Sequence, residues 1–178
     1  QLGFDSVREV AGPRALRHVK CELTDEWDRN GNYREAYITD MNERYKKGTD
    51  NAWKVKPTIL PNNLYPDIWI GDQARKELGN MPEDKPWLLW ISFVGPHEPF
   101  DTPTPWNYGT YNIENARRQG EWIKTLEEDC ELAIKQREWD SKKINSKDLY
   151  NIRIDYANRI KLLDNQVESI LRKLQQRS

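Results

Sequence analysis

The sequence predicts an α/β fold in which helices flank a partial, parallel-type sheet. The first observation is a run of eight apolar or small residues from Trp87 to Val94, bounded by Pro86 and by Gly95-Pro96. A continuous run of this kind is typical of a strand buried on both faces, as in parallel sheets covered by helices. The second observation is helical patterning on both sides of the run, which gives the alternation of helices and strands expected for this fold class.

Two helices are predicted in the first quarter of the chain. Thr24, followed by Asp25 and Glu26, supplies a capping residue and acidic side chains for a first turn. A second helix is predicted over residues 33–46, and residues 50–64, with two prolines, are expected to form an extended loop.

A third helix is predicted between that loop and the apolar run. Asn63 is the expected cap, and Pro66 suits the first turn because its missing N–H has no helical partner there. Gly79 is expected to close the helix in a left-handed conformation. Residues 81–84 then connect the helix to the predicted strand.

The last segment has the clearest helical periodicity. A charged, helix-like region precedes it, and residues 107–148 are predicted to be a helical insertion or lid. The final helix is expected to cover the sheet, although the same pattern also fits a coiled-coil seam. Its predicted buried stripe consists of Ile152, Tyr156, Ile160, Leu163, Val167, Ile170 and Leu174.

The composition is that of a polar folded domain and argues against several functions. The 178 residues carry a net charge of −1, which disfavours nonspecific binding to nucleic acid or anionic membranes. No apolar run approaches the roughly 20 residues that span a bilayer. Cys21 and Cys130 lie far apart and only two histidines are present, so no zinc site is expected. Glycine-rich phosphate loops and a G-x-S-x-G elbow are absent from the sequence.

His97 is the ionisable residue that the predicted fold places at a ligand-binding position. It follows the carboxyl end of the predicted strand, where open α/β sheets bind ligands, and Pro96 and Pro99 restrict the backbone around it. A histidine in such a loop either handles protons and anions or is a structural surface residue. A basic cluster near the N-terminus is either a solvated face or an anion-attracting wall; it consists of Arg14, Arg17, His18 and Lys20.

Residues 95–100 read GPHEPF, directly after the apolar run and before a proline-rich stretch that ends in Trp106. This segment resembles the type I sulfatases of the alkaline phosphatase superfamily. Further matches occur in the family's order at 3–5 with 12–14, at 65–67 with 70–74, and at 155–157 with 161–167. The resemblance implies that residues 1–178 are an internal segment of a single sulfatase catalytic domain, with an alkaline-phosphatase-like fold.

The resemblance also implies a reaction and a set of site residues. The family hydrolyses sulfuric esters with a formylglycine nucleophile and a divalent cation, usually calcium. Its GPH histidine corresponds to His97, the expected catalytic and substrate-binding residue. Asp101 and Trp106 are further candidates for the substrate side, and Glu98 is expected to orient a neighbour or face solvent. The implied partners are a sulfated small molecule or carbohydrate and the remainder of the sulfatase domain.

Other parts of the family's machinery are missing from this sequence. Neither Cys21 nor Cys130 begins the Cys-x-Pro/Ser/Ala-x-Arg motif that matures to formylglycine. The family's metal-binding pairs have no counterpart either, so no metal ligand is expected in this segment and the segment alone is expected to be inactive. Two interpretations remain beside a sulfatase: a phosphoester or phosphonate-ester hydrolase of the same superfamily, and a non-catalytic binding or interaction protein.

Overall fold

The computed structural model describes residues 3–47, 51–108 and 146–177. The helices in these ranges are α1 (Glu22–Arg29), α2 (Tyr33–Arg44), α3 (Pro66–Asn80) and α4 (Ser146–Gln175), with short 3-10 helices at Asn51–Trp53, Asn62–Leu64 and Trp106–Tyr108. Within the same ranges no strand is formed, and no helix has the length and apolar character needed to cross a membrane. Most of the predicted insertion over 107–148 lies outside the described residues.

Helix α1 begins slightly earlier than its capping pattern predicts. Cys21 occupies the capping position, and its backbone N–H donates to the Thr24 hydroxyl at 2.8 Å. That hydroxyl donates in turn to the Cys21 carbonyl, also at 2.8 Å. Thr24 therefore stabilises the helix start from inside the first turn. Helix α2 begins where it was predicted to begin, at Tyr33, and ends two residues before the predicted position 46.

The start of α3 confirms one prediction and its end contradicts another. Pro66 is the first helical residue, as expected for a proline in a first turn, but the capping position is occupied by Tyr65, so the predicted cap at Asn63 is wrong. The helix continues through Gly79, whose φ is not left-handed, so the predicted left-handed end is wrong. The guanidinium of Arg177 instead donates to the carbonyl oxygens of Leu78 and, at 2.5 Å, of Met81. A side chain from the C-terminal region thus satisfies carbonyls that helix termini leave without partners.

The N-terminal helices pack around Trp27, which is fully buried. Its indole N–H donates to the carbonyl oxygen of Leu64 at 2.8 Å, and its ring lies 4.7 Å from that of Tyr37. The hydrogen bond satisfies the one polar atom that the indole brings into the core. The buried residues of this cluster are Leu16, Leu23, Trp27, Tyr37, Met41, Leu60, Leu64 and Trp69.

Helix α4 packs along α3, but through a face other than the predicted one. Tyr156, Ile160, Val167 and Leu174 of the predicted stripe are each more than a third exposed, so the predicted burial of that stripe is wrong. The buried residues of α4 are Asp148, Asp155, Asn158, Arg159, Leu162 and Gln166. The helices come close at Gly71, where an added Cβ would lie 2.2 Å from the Gln166 side-chain oxygen. Polar side chains therefore determine which face of α4 turns inward.

The apolar run from Trp87 to Val94 is an irregular segment in this structure. Leu88 and Trp90 are 74% and 75% exposed, so the expected burial of both faces is not observed. A strand needs a neighbouring strand to satisfy its backbone groups, and the described parts of the chain supply none. The α/β fold with a partial sheet therefore stays a prediction.

Candidate active site around His97

His97 lies on a turn directly after the apolar run, with its side chain 53% exposed. Its ring atom Nδ1 is 2.8 Å from the backbone carbonyl oxygen of Glu98 and 3.0 Å from a carboxylate oxygen of the same residue. Both of these atoms are hydrogen-bond acceptors, so Nδ1 carries the proton and donates. In the neutral ring, Nε2 then has the free lone pair, and it is the nitrogen that remains for a ligand.

Glu98 connects His97 to the basic cluster near the N-terminus. Its carboxylate contacts His97 and also forms an ion pair with the guanidinium of Arg14. Arg14 stacks on the ring of Tyr45, with 4.8 Å between the guanidinium carbon and the ring centroid. The expectation that Glu98 orients a neighbour therefore agrees with its contacts. One member of the predicted basic cluster, Arg14, thus lies beside the candidate site, and both interpretations of the cluster stay open.

The surroundings of His97 favour its neutral form. Partial burial, followed by the positive charges of Arg14 and Arg159, lowers the pKa of His97 below its ordinary value of 6.5. At neutral pH the ring is therefore an uncharged donor through Nδ1.

Asp67, in the first turn of α3, holds the backbone that enters the turn. Its Oδ1 atom accepts the N–H groups of Val94 and Gly95 at 2.8 and 2.9 Å. The side chain is buried, and burial raises the pKa of Asp67, while these two N–H groups and the charge of Arg159 act against that rise. The sequence pattern gives Asp67 no role beyond helix initiation, because its two partners lie 27 and 28 residues away.

Arg159, on the inner face of α4, holds the backbone that leaves the turn. Its Nη1 donates to the carbonyl oxygen of His97 at 2.8 Å, and its Nη2 donates to the carbonyl oxygen of Pro99 at 2.9 Å. Nη2 also lies 2.6 Å from the carboxylate of Asp101, in an ion pair whose two side chains are almost fully buried. Burial opposes the charge of Arg159, but Tyr65 and the surrounding carboxylates raise its pKa above the ordinary value, so the guanidinium stays charged.

Glycine is the only residue type that fits at position 95, between the side chains of Asp67 and Arg159. A Cβ added at Gly95 would lie 2.6 Å from Oδ2 of Asp67 and 2.9 Å from Cδ of Arg159. Contacts that short are not seen for real side chains, so the close approach of α3, α4 and the turn depends on glycine. This gives a structural reason for the first residue of the GPH segment.

The other two predicted site residues lie behind His97. Asp101 is 4% exposed, and its Oδ1 accepts from Arg159 and, at 3.1 Å, from the Tyr65 hydroxyl. Trp106 is half-buried and packs against Tyr65, Ile68 and Leu162. These contacts give both residues structural roles, and contact with a substrate stays a prediction for them.

The space beneath the turn is too small to hold a substrate. A cavity of about 10 Å³ lies there, lined by Tyr37, Tyr65, Asp67, Asp101 and Arg159 among others, and a space of that size holds about one water molecule. A ligand of His97 must therefore approach from the exposed side of the ring. In the described ranges no group of three or more His, Cys, Asp or Glu side chains is arranged to hold a metal ion.

Comparison with known proteins identifies the family of this chain. The sulfatase family model matches residues 20–178, so the chain belongs to the sulfatase family. Among curated proteins, an arylsulfatase of Clostridium perfringens (strain 13 / Type A) is 29% identical over 167 residues. The match covers 92% of this chain and 33% of the relative, so the chain spans about a third of that protein's length. No solved structure matches the chain significantly.

Proposed function

We propose that this chain supplies the His97 side of the active site of a sulfate-ester hydrolase. The observation that carries the proposal is the fixed imidazole: Nδ1–H donates to Glu98, and Nε2 remains for a ligand on a half-exposed turn. Membership of the sulfatase family supports a sulfate ester as the substrate class, on a small molecule or a carbohydrate. The arylsulfatase relative supports the same class.

The chemistry of His97 follows from its protonation. A sulfate monoester is an anion, and an anion placed at Nε2 favours the charged ring and so raises the pKa of His97. The carboxylate of Glu98 at Nδ1 stabilises that charge. The protonated Nε2 then donates a hydrogen bond to a sulfate oxygen, or gives its proton to the departing ester oxygen. Substrate binding is therefore expected to take up a proton and to weaken as the pH rises.

The nucleophile and the residues that bind the divalent cation are proposed to lie outside this sequence. Calcium prefers carboxylate oxygens, but the buried carboxylates near His97 already have partners. Asp67 accepts two backbone N–H groups, Asp101 pairs with Arg159, and Asp155 accepts the backbone N–H of Thr102 at 3.0 Å. These residues do not fit a calcium site, and the steps proposed for His97 involve no metal.

The chain alone is expected not to hydrolyse sulfate esters. Without a nucleophile and a cation, an active site loses the groups that contribute most to catalysis of this kind. The test is incubation of the purified chain with a chromogenic aryl sulfate. Measurable turnover that co-purifies with the chain would contradict this part of the proposal.

The role of His97 is tested in the full-length protein by His97→Ala, with Trp87→Phe, a change at a partly exposed side chain outside the site, as the control. Loss of a general acid lowers kcat/KM by about 10²–10⁴-fold, whereas the control is expected to keep wild-type activity. Wild-type activity in His97→Ala would overturn the proposed role. An aryl phosphate assayed in parallel distinguishes the substrate classes, because faster turnover of the phosphate would favour a phosphoesterase.

A further inference from the structure

The buried guanidinium of Arg159 lies directly below the backbone of the His97 turn. It donates to the carbonyl oxygens of His97 and Pro99, which are the two carbonyls on either side of that of Glu98. Two carbonyls held by one rigid group restrict the peptide units between them. The Glu98 carbonyl between them points toward Nδ1 of His97, which lies 2.8 Å away.

The planar shape of the guanidinium is what allows this arrangement. Arginine presents several N–H donors in a fixed plane, whereas lysine is a single compact charge on a flexible chain. Arg159 uses Nη1 for one carbonyl and Nη2 for the other, while Asp101 anchors Nη2 from behind at 2.6 Å. A lysine at this position retains the charge, but its single nitrogen cannot reproduce the placement of Nη1 at one carbonyl and Nη2 at the other.

We infer that Arg159 is a positioning residue that fixes the tautomer of His97, by holding the carbonyl oxygens of His97 and Pro99 so that the Glu98 carbonyl accepts a hydrogen bond from Nδ1–H. This inference rests on the proposed function of His97 and extends it to a residue on α4 that touches no substrate. Because Arg159 acts through the geometry of its two donors, a positive charge alone at this position is not expected to fix the tautomer of His97.

Two matched variants separate geometry from charge. Arg159→Lys retains the charge and loses the bridge between the carbonyls, whereas Asp101→Asn removes a buried charge and leaves both carbonyl contacts in place. The chain has two histidines, so two-bond ¹H–¹⁵N imidazole spectra recorded across a pH series are readily assigned, and His18 serves as an internal reference. Circular dichroism of each variant tests whether it is folded.

The wild-type ring of His97 is expected as the Nδ1–H tautomer. In Arg159→Lys we expect this preference to be lost and the midpoint of the His97 titration to move up toward 6.5, as the ring leaves its partly buried position. In Asp101→Asn the tautomer is expected to persist and the midpoint to stay or fall, because a negative charge has been removed. The other charged groups facing the ring, Glu98 and Arg14, are the same in all three proteins.

Either of two results would overturn the inference: an unchanged His97 tautomer in folded Arg159→Lys, or equal loss of the tautomer in both variants. If Arg159→Lys does not fold, the wild-type spectrum decides, because an Nε2–H or averaged His97 ring contradicts the geometry. These spectra do not depend on turnover. A confirmed tautomer effect together with full activity in His97→Ala would leave Arg159 as a positioning residue and would refute only the proposed function.

Discussion

The substitution Gly95→Ala tests the packing under the candidate site more directly than any other change. The added methyl group would lie 2.6 Å from Oδ2 of Asp67 and 2.9 Å from Cδ of Arg159. Neither neighbour is free to move away. Asp67 accepts two backbone N–H groups of the same turn, and Arg159 donates to two carbonyl oxygens and an ion-pair partner.

The expected cost follows from comparing two responses. If the backbone shifts to admit the methyl group, the overpacking costs about 1–3 kcal/mol. If Asp67 moves instead, two hydrogen bonds to a charged acceptor are lost, each contributing about 1.5–3 kcal/mol. The first response costs less, so we expect Gly95→Ala to reduce the free energy of unfolding by about 2 kcal/mol. With a urea slope of about 2 kcal/mol per molar, the midpoint falls by about 1 M.

The assay is urea unfolding followed by tryptophan fluorescence, with Gly12→Ala as the matched control. Gly12 has no atom within 4 Å of its added Cβ and no left-handed φ. Alanine there is expected to stabilise the protein by about 0.4–1 kcal/mol, because it restricts the unfolded chain. Equal midpoints for the two alanine variants, or a wild-type midpoint for Gly95→Ala, would refute the reasoning.

Two further substitutions probe the N-terminal part of the chain. Asp40 accepts from Arg44 at 2.7 Å and from Lys56 at 2.5 Å. Burial raises the pKa of Asp40, but the two cations lower it by more, so the pKa lies below the ordinary 3.8. Asp40→Asn leaves buried Arg44 without its counter-charge and is expected to cost about 3 kcal/mol at neutral pH, a difference that shrinks as the pH falls below 3.8. Trp27→Phe removes the donor to the Leu64 carbonyl and is expected to cost about 1–3 kcal/mol.

Both predictions have outcomes that contradict them. A difference between wild type and Asp40→Asn that grows toward low pH would mean that the folded-state pKa of Asp40 is not depressed. For the indole, the matched control is Trp87→Phe, since Trp87 is 39% exposed and its change is expected to stay within about 0.5 kcal/mol. Equal losses in the two tryptophan variants would show that the buried hydrogen bond contributes nothing measurable.

The helices could be predicted from the sequence because their signals are local. The start of α2, the first-turn Pro66 of α3 and the long final helix all depend on residues within a few positions of one another. His97 was also found locally, from the end of an apolar run and the residues around it. The apolar run predicted a segment buried on both faces, but its bulky side chains Leu88 and Trp90 are exposed in this structure.

The residues that support His97 could not be predicted, because their partners are distant in sequence. Asp67 resembles an ordinary first-turn carboxylate, and Arg159 resembles an ordinary charged position on an amphipathic helix. The apolar stripe of α4 drew attention to a neighbouring face of the helix, whereas ion pairs and hydrogen bonds selected the more polar face for burial. One signal was available: Asp67 and Asp155 fall inside segments 65–67 and 155–157, where the sequence resembles the sulfatases.

The hydrogen bonds that hold the turn connect residues 27, 28, 60 and 62 positions apart. Closing loops of such lengths costs chain entropy before any of these contacts forms. The turn around His97 is therefore expected to become ordered only after α3 and α4 have docked, late in folding. Any partial opening that separates α4 from α3 would release the imidazole while α1 and α2 remain packed around Trp27, so the orientation of His97 reports on the integrity of the helix pair.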